Sequence, residues 1–470
     1  MKIRAEFSAR DQRARNPLEP PPLTGLWAVG TGMTHTDISS LTEAGVQYPS
    51  RGRSASKPRI AVFYHYFPPD DVVSAVHFGD LCAGLAQRGW TVSAFPTVWG
   101  CRDESARFPR SETWQGVLVR RIWRPRFRQS VNLGRMLNAF FMIAAWSAQA
   151  VRRPAPDVVL IGTDPVLSIL SAVFWKLVRP RTKIVHWCFD LYPEAAIADG
   201  LLKPDGIATG AIRRMLVPAY GACSLIVDIG PCMRRLLSRY PTRARRETSV
   251  PWALHEPAGV IPPDAAERER LFPGARIGLL YSGNFGRAHS YSDILRLAEF
   301  LAPGGGCVTL SMRGNREMEL RAAVKKSGSS VRFVSPVTAD KLGERLASAD
   351  VHVVSLQPEW NGTVIPSKFF GALAIGRPVL FSGPRDSSIA HWIQQYNLGW
   401  ILDNDRVAEV GSQLLAYASD RGQQAEMQKR CFEVYQQQFS RAVQIDRWNS
   451  FLRIVVSNEP AVSQEHHDEE

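Results

Sequence analysis

From Arg59 onward the chain alternates short apolar runs with segments of helical spacing. R-I-A-V-F-Y-H-Y-F predicts a strand, P-P-D-D breaks it, and V-S-A-V-H-F-G-D-L-C-A-G-L-A-Q-R-G carries its apolar residues at helical spacing as far as Gly89. T-V-S-A-F follows at once as a second strand, and further strands are predicted at Val117 to Ile122, Asp157 to Ile161, Lys183 to Trp187 and Ser224 to Val227. Such alternation implies a parallel sheet covered on both faces.

The order recurs after about residue 256. Strands are predicted at Ile277 to Tyr281, Val308 to Met312, Val331 to Val334, Val351 to Leu356 and Pro378 to Phe381, with helices near Asp293 to Leu301, Arg316 to Lys326 and Ala339 to Ala349. The expected fold is therefore α/β: two Rossmann-like doubly wound domains in series, facing a central cleft, because such sheets bind ligands at the carboxyl ends of their strands. The expected bounds are 58–255 and 256–435, with a helix at 436–456 returning to the N-terminal domain. Residues 1–57, polar and carrying Pro17, Pro20, Pro21 and Pro22, are expected as a disordered leader, and residues 457–470, ending H-H-D-E-E, as a solvated tail.

Composition narrows this picture only in part. Hydrophobic content of 45% and charged content of 21% describe a globular chain with ample core. Seven cysteines without a C-x-x-C pair read as buried thiols of a reducing compartment, not as metal ligands or disulfides. The N-terminus lacks the apolar run of a signal peptide, so a cytoplasmic protein is expected. The balance of 57 basic against 44 acidic residues, net +13, suits polyanionic surfaces or substrates.

Two segments carry candidate chemistry. P-S-K-F-F-G-A-L-A-I-G-R-P-V, at Pro366 to Val379, places Ser367 and Lys368 at a helix start after an apolar run. An anion there would meet both a cation and the unpaired N–H groups of the helix. I-G-L-L-Y-S-G-N-F-G-R-A-H, residues 277 to 289, runs from a strand into a loop with Gly283, Asn284, Gly286, Arg287 and His289. Glycines let backbone approach an anion, and an arginine holds phosphate oxygens in a fork. A third stretch, R-R-I-W-R-P-R-F-R at 120–128 followed by M-L-N-A-F-F-M-I-A-A-W-S-A-Q-A, is too short to span a bilayer. It suits either a helix lying on anionic lipid or a core helix beside a solvated basic loop.

These pieces resemble the retaining nucleotide-sugar glycosyltransferases of the GT-B fold, bacterial glycosyltransferase family 4, and among them the fucosamine- and colanic-acid-transferase type. The resemblance rests on Y-H-Y-F-P-P at Tyr64 to Pro69, R-G-W-T-V at Arg88 to Val92, F-D-L-Y-P-E at Phe189 to Glu194, Y-S-G-N-F-G-R-A-H at Tyr281 to His289, A-D-V-H-V-V-S-L at Ala349 to Leu356, and P-S-K with A-I-G-R-P-V up to Val379. It spans about residues 58 to 450. It implies that the C-terminal domain binds a nucleotide-sugar, with Arg287 and Lys368 on the pyrophosphate and the backbone near Pro336 to Thr338 beside the base. Asn361, Gly362 and Thr363 would lie at the sugar or phosphate end. No metal and no cofactor beyond the sugar nucleotide is implied.

In relatives a histidine or aspartate faces the transferred sugar where this chain has Asp190, with Glu194 four residues on; both are candidate catalytic residues. Asp190 would stabilise oxocarbenium character or orient the acceptor hydroxyl, whereas a plain helix cap is the structural alternative. One departure stands out: Thr363 and Gly371 occupy the positions of the family's two glutamates, the second of which binds the donor ribose.

The implied activity is sugar transfer to a glycan or lipid-linked acceptor in exopolysaccharide, capsule or O-antigen synthesis, on the inner face of the cell membrane and without a nucleic-acid partner. A silent nucleotide-binding scaffold and a nucleotide-sugar epimerase are the competing readings.

Overall fold

The computed structural model describes residues 57–457, apart from 71, 102, 104, 129 and 130. The expected leader and tail thus lie outside the described residues, save for Lys57 and Ser457.

The first sheet is built from β1 (Arg59–Phe63), β2 (Thr91–Ala94), β3 (Ser111–Trp114), β4 (Val117–Arg120), β5 (Val158–Gly162), β6 (Lys183–Trp187), β7 (Leu225–Asp228) and β8 (Arg245–Thr248). Its order is β3-β4-β2-β1-β5-β6-β7-β8, parallel except where β3 meets β4. The second sheet takes β9 (Ile277–Asn284), β10 (Gly306–Arg313), β11 (Val331–Val334), β12 (Val351–Ser355), β13 (Val379–Ser382) and β14 (Gly399–Leu402) in the order β11-β10-β9-β12-β13-β14, all parallel. The sequence order of the strands reverses at β1/β5 and at β9/β12, and the crevice beyond these carboxyl ends is where a doubly wound sheet takes its ligand. β5 and β12 are buried along their whole length, as strands covered by helices on both faces must be.

The chain passes between the domains near Val250 to Ala253: Val250 and Ala253 join the core of the second domain, Trp252 that of the first. The last helix, Arg441–Ser457, packs Ile445, Trp448, Leu452 and Val455 into the core of the first domain, against Val62, Phe78 and Trp187. Its close approach to the helix Val73–Gln87 depends on Gly84, where a Cβ would sit 2.7 Å from Ile445.

Two features differ from the sequence reading. The basic run is not a solvated loop throughout. Arg121, 6% exposed, pairs with Glu112 and donates to the carbonyls of Pro68 and Pro109; Arg124, 3% exposed, donates from Nε to Nε2 of His65. Those acceptors are what allow two guanidinium groups to be buried. The helix that follows, Asn132–Arg152, is core on one side, through Met142, Trp146 and Ala150, yet apolar on the other, where Leu133, Met136, Phe140 and Val151 are exposed. Neither alternative drawn from the sequence describes it alone. Among the described residues, no helix is long and apolar enough to cross a membrane.

Candidate functional site

The two sequence segments meet at the carboxyl end of β9. Lys368 begins the helix Lys368–Ala374, and its Cε lies only 3.0 Å from where a Cβ on Gly283 would be. Gly283 has φ +127°, a conformation L side chains rarely adopt, so its glycine is required twice over. The Lys368 Nζ stands 5.1 Å over the Tyr281 ring and 3.3 Å from Nε2 of His289. No carboxylate pairs with it among the described residues. Burial pulls its ammonium down to about 8, still protonated at neutral pH.

His289 is held for this contact. Its Nδ1 donates to the Ser355 carbonyl at 2.7 Å, which leaves Nε2 as the acceptor facing Lys368. Its own carbonyl accepts from Arg316 Nη1 at 2.5 Å and Gln357 Nε2 at 3.0 Å. Burial first, and then the Lys368 charge, depress its pKa to about 3, so the ring stays neutral.

The facing wall belongs to the first domain. Asp190 follows β6 and is exposed, but loss of hydration and the neighbouring Asp164 carboxylate push its carboxyl up to about 6. It does not cap a helix: the next one, Glu194–Ala198, has Pro193 at its N-cap and no side-chain cap. Asp164, at the end of β5, approaches Nδ1 of His65 at 3.4 Å, and Arg124 donates to the other ring nitrogen at 3.1 Å. This Arg124–His65–Asp164 chain holds the carboxylate whose charge acts on Asp190. The sequence reading missed it, although G-T-D-P follows a predicted strand and Y-H-Y-F closes another.

Other expected residues are placed differently. Glu194 is 4% exposed and forms an internal ion cluster with Arg213 at 3.3 Å and Arg239 at 3.9 Å, so it is a structural charge and not an open carboxylate. Arg287, 55% exposed, pairs with Asp199 of the first domain. The loop of Asn361, Gly362 and Thr363 joins the domains: Asn361 donates to Asp386 at 2.9 Å, Gly362 (φ +82°) leaves no room for a Cβ beside the Cys232 carbonyl, and Thr363 accepts from the Leu191 N–H at 3.2 Å. That last bond sets Asp190 beside this loop. Asn284 ends β9, Gly286 follows it and Ser367 is the N-cap of Lys368's helix; Asn284 and Ser367 are exposed and Gly286 is half-buried. Pro336 and Thr338 are exposed beyond β11. Around Gly371 a Cβ would meet nothing within 4 Å. The arginine of A-I-G-R-P-V proves structural: Arg377 is buried and donates to the carbonyls of Ala349, Ala347 and Ile261.

The arrangement offers an ammonium with no carboxylate partner among the described residues and a glycine-lined strand end on one wall, and a carboxylate of raised pKa on the other. No protein-family model matches the chain. The probable glycosyltransferase WbjE of Pseudomonas aeruginosa is 26% identical over 299 residues, covering 60% of this chain and 72% of that protein. Sucrose-phosphate synthase of Thermosynechococcus elongatus shares the fold with a TM-score of 0.63 at 15% identity, over 86% of this chain and 100% of that one. Anabaena HepE, in complex with UDP-glucose, does so with a TM-score of 0.56 at 12% identity, over 85% of this chain and 100% of that one. The chain thus has the GT-B architecture of two α/β domains with parallel sheets.

Proposed function

We propose that this chain is a retaining glycosyltransferase that moves a sugar from a nucleotide-sugar donor to a glycan or lipid-linked acceptor in the synthesis of a surface polysaccharide. The observation that carries this is Lys368: an ammonium without a counter-ion among the described residues, laid against Gly283 at the switch point of the second sheet and fixed by neutral His289. A diphosphate supplies the missing anion. Charge grows on it as the bond to the anomeric carbon breaks, so a preorganised cation lowers that barrier. Asn284, Gly286 and Ser367 extend the anion-binding wall with backbone and short polar groups. Asp190 faces the reacting sugar, as an anion above pH about 6, where it stabilises positive character at the anomeric carbon or orients the acceptor hydroxyl. The similarity to WbjE and the UDP-glucose bound by the similarly folded HepE both support a sugar-nucleotide reading.

The acceptor side is the first domain, whose helix Asn132–Arg152 presents Leu133, Met136 and Phe140 with exposed Arg135 and Arg152. Apolar and basic residues on one surface helix suit contact with an anionic membrane, where a lipid-linked acceptor would reside.

One observation favours a second reading, a nucleotide-binding subunit without turnover. Nothing fills the space at Gly371, and Thr363 is tied into the domain contact, so neither position supplies a carboxylate to a ribose.

Incubation with a panel of UDP- and GDP-sugars, with and without a lipid-linked acceptor, separates the readings, with the anomeric configuration read by NMR. Transfer with retention supports the proposal. Donor consumed without acceptor and converted to another sugar nucleotide supports an epimerase, and binding without turnover supports the scaffold.

A further inference from the structure

A cavity of about 230 Å³ lies between the first sheet and the helix Asn132–Arg152. None of its lining residues belongs to the cleft described above. Its inner wall is aromatic, from Phe63, Phe95 and Trp175, each at most 3% exposed. Three arginines line it, Arg59, Arg120 and Arg153, and among the described residues no carboxylate does.

Two of these arginines are pre-positioned. Arg153 donates from Nε to the Gln149 side chain at 2.8 Å and lies 5.3 Å over the Phe95 ring, which leaves its terminal nitrogens for another acceptor. Arg59 is anchored by one nitrogen to the Ala155 carbonyl at 2.5 Å. The Arg120 guanidinium, half-buried at the end of β4, has no partner among the described residues. Three like charges around one hollow repel each other unless an anion sits among them, and guanidinium forks match phosphate oxygens best.

We propose that this cavity binds an organic phosphate, with the phosphate on Arg59, Arg120 and Arg153 and its substituent against Phe95 and Trp175. A dianion suits three cations better than a carboxylate does. The volume exceeds that of bare phosphate and leaves room for a glycerol-sized body. The phosphate has two sources. Gln149 and Arg153 stand at the end of the helix whose outer face exposes Val151, so a lipid headgroup reaches the cavity if that face lies on a membrane; a soluble phosphomonoester reaches it from solution.

The test uses full-length protein and Arg120→Gln, which has no partner to lose and should melt at the wild-type temperature. Calorimetry with glycerol 1-phosphate should show binding by wild type and at least a tenfold weaker affinity for the variant, with Arg153→Gln behaving likewise. In parallel, flotation with phosphatidylcholine vesicles, plain or containing phosphatidylglycerol, identifies the source: loss of flotation in Arg120→Gln assigns the phosphate to a lipid, and unchanged flotation alongside weakened glycerol phosphate binding assigns it to a soluble ligand. If Arg120→Gln alters neither glycerol phosphate affinity nor flotation, or if wild type binds neither probe, the proposal is overturned. A folded-state readout by melting keeps both results interpretable.

Discussion

The ammonium of Lys368 lies 3.3 Å from Nε2 of His289, while the other nitrogen of that ring is committed to the Ser355 carbonyl at 2.7 Å. The imidazole therefore cannot turn to offer Lys368 an N–H without breaking a buried hydrogen bond. It serves as a neutral acceptor that aims the ammonium while leaving its charge uncompensated.

This arrangement predicts how nucleotide affinity depends on pH. Lys368 titrates at about 8 in the free protein, and a bound diphosphate favours its charged form. Affinity for a nucleoside diphosphate should be flat below that value and fall as pH rises through it, by at most about tenfold per unit for a single proton. Lys368→Arg keeps its charge at every accessible pH, so its affinity should show no such fall between pH 7 and 9 in calorimetric titrations.

Asp190→Asn preserves size and hydrogen bonding but removes the charge. Turnover should drop at least tenfold, about 1.4 kcal/mol of barrier, with nucleotide affinity unchanged. Wild-type turnover should also decline as pH falls through about 6, where the Asp190 carboxylate takes up a proton, and this limb should be missing in the variant. Kinetics across pH 5 to 8 check both outcomes.

The Arg287–Asp199 pair bridges the two domains at the surface. Exposed pairs of this kind contribute about 0–1 kcal/mol. Asp199→Asn should release Arg287 toward the diphosphate and tighten nucleotide binding by up to about fivefold. An unchanged affinity would show that Arg287 does not reach the phosphate.

Membrane contact should depend on charges that are exposed. Replacing Arg128, Arg135 and Arg152 with glutamine should weaken binding to anionic vesicles by about 3 kcal/mol, or two decades, at low salt. Arg121→Gln should instead destabilise the fold, by about 3 kcal/mol, because Glu112 and two carbonyls lose a buried donor. Vesicle sedimentation and thermal melting distinguish the two effects.

Central apolar strands were legible because burial on both faces leaves an uninterrupted run such as V-V-L-I-G or V-H-V-V-S, whereas the short edge strand G-W-I-L, half-buried over its first two residues, was not predicted. The strands S-E-T-W and R-R-E-T escaped notice too: they edge the first sheet, half-exposed, and their side chains are polar. Of the site, Lys368 and the glycine loop could be read from helix-start and turn chemistry. That His289 would aim Lys368 could not, since the contact joins residues far apart in sequence and depends on which ring nitrogen Ser355 engages. The burial of Arg121 and Arg124 was equally hidden: a run of arginines looks solvated until the carbonyls, carboxylate and imidazole that accept from them are in place.

The claim that Lys368 anchors a donor diphosphate is tested most directly by calorimetric titration of UDP, GDP and their sugars into wild type and Lys368→Ala. One charged hydrogen bond contributes about 1.5–3 kcal/mol, so at least one nucleotide should bind wild type and bind the variant ten- to a hundredfold more weakly, with the melting temperature preserved. Wild-type protein that binds none of them, or a variant that binds within twofold of wild type, would contradict the account.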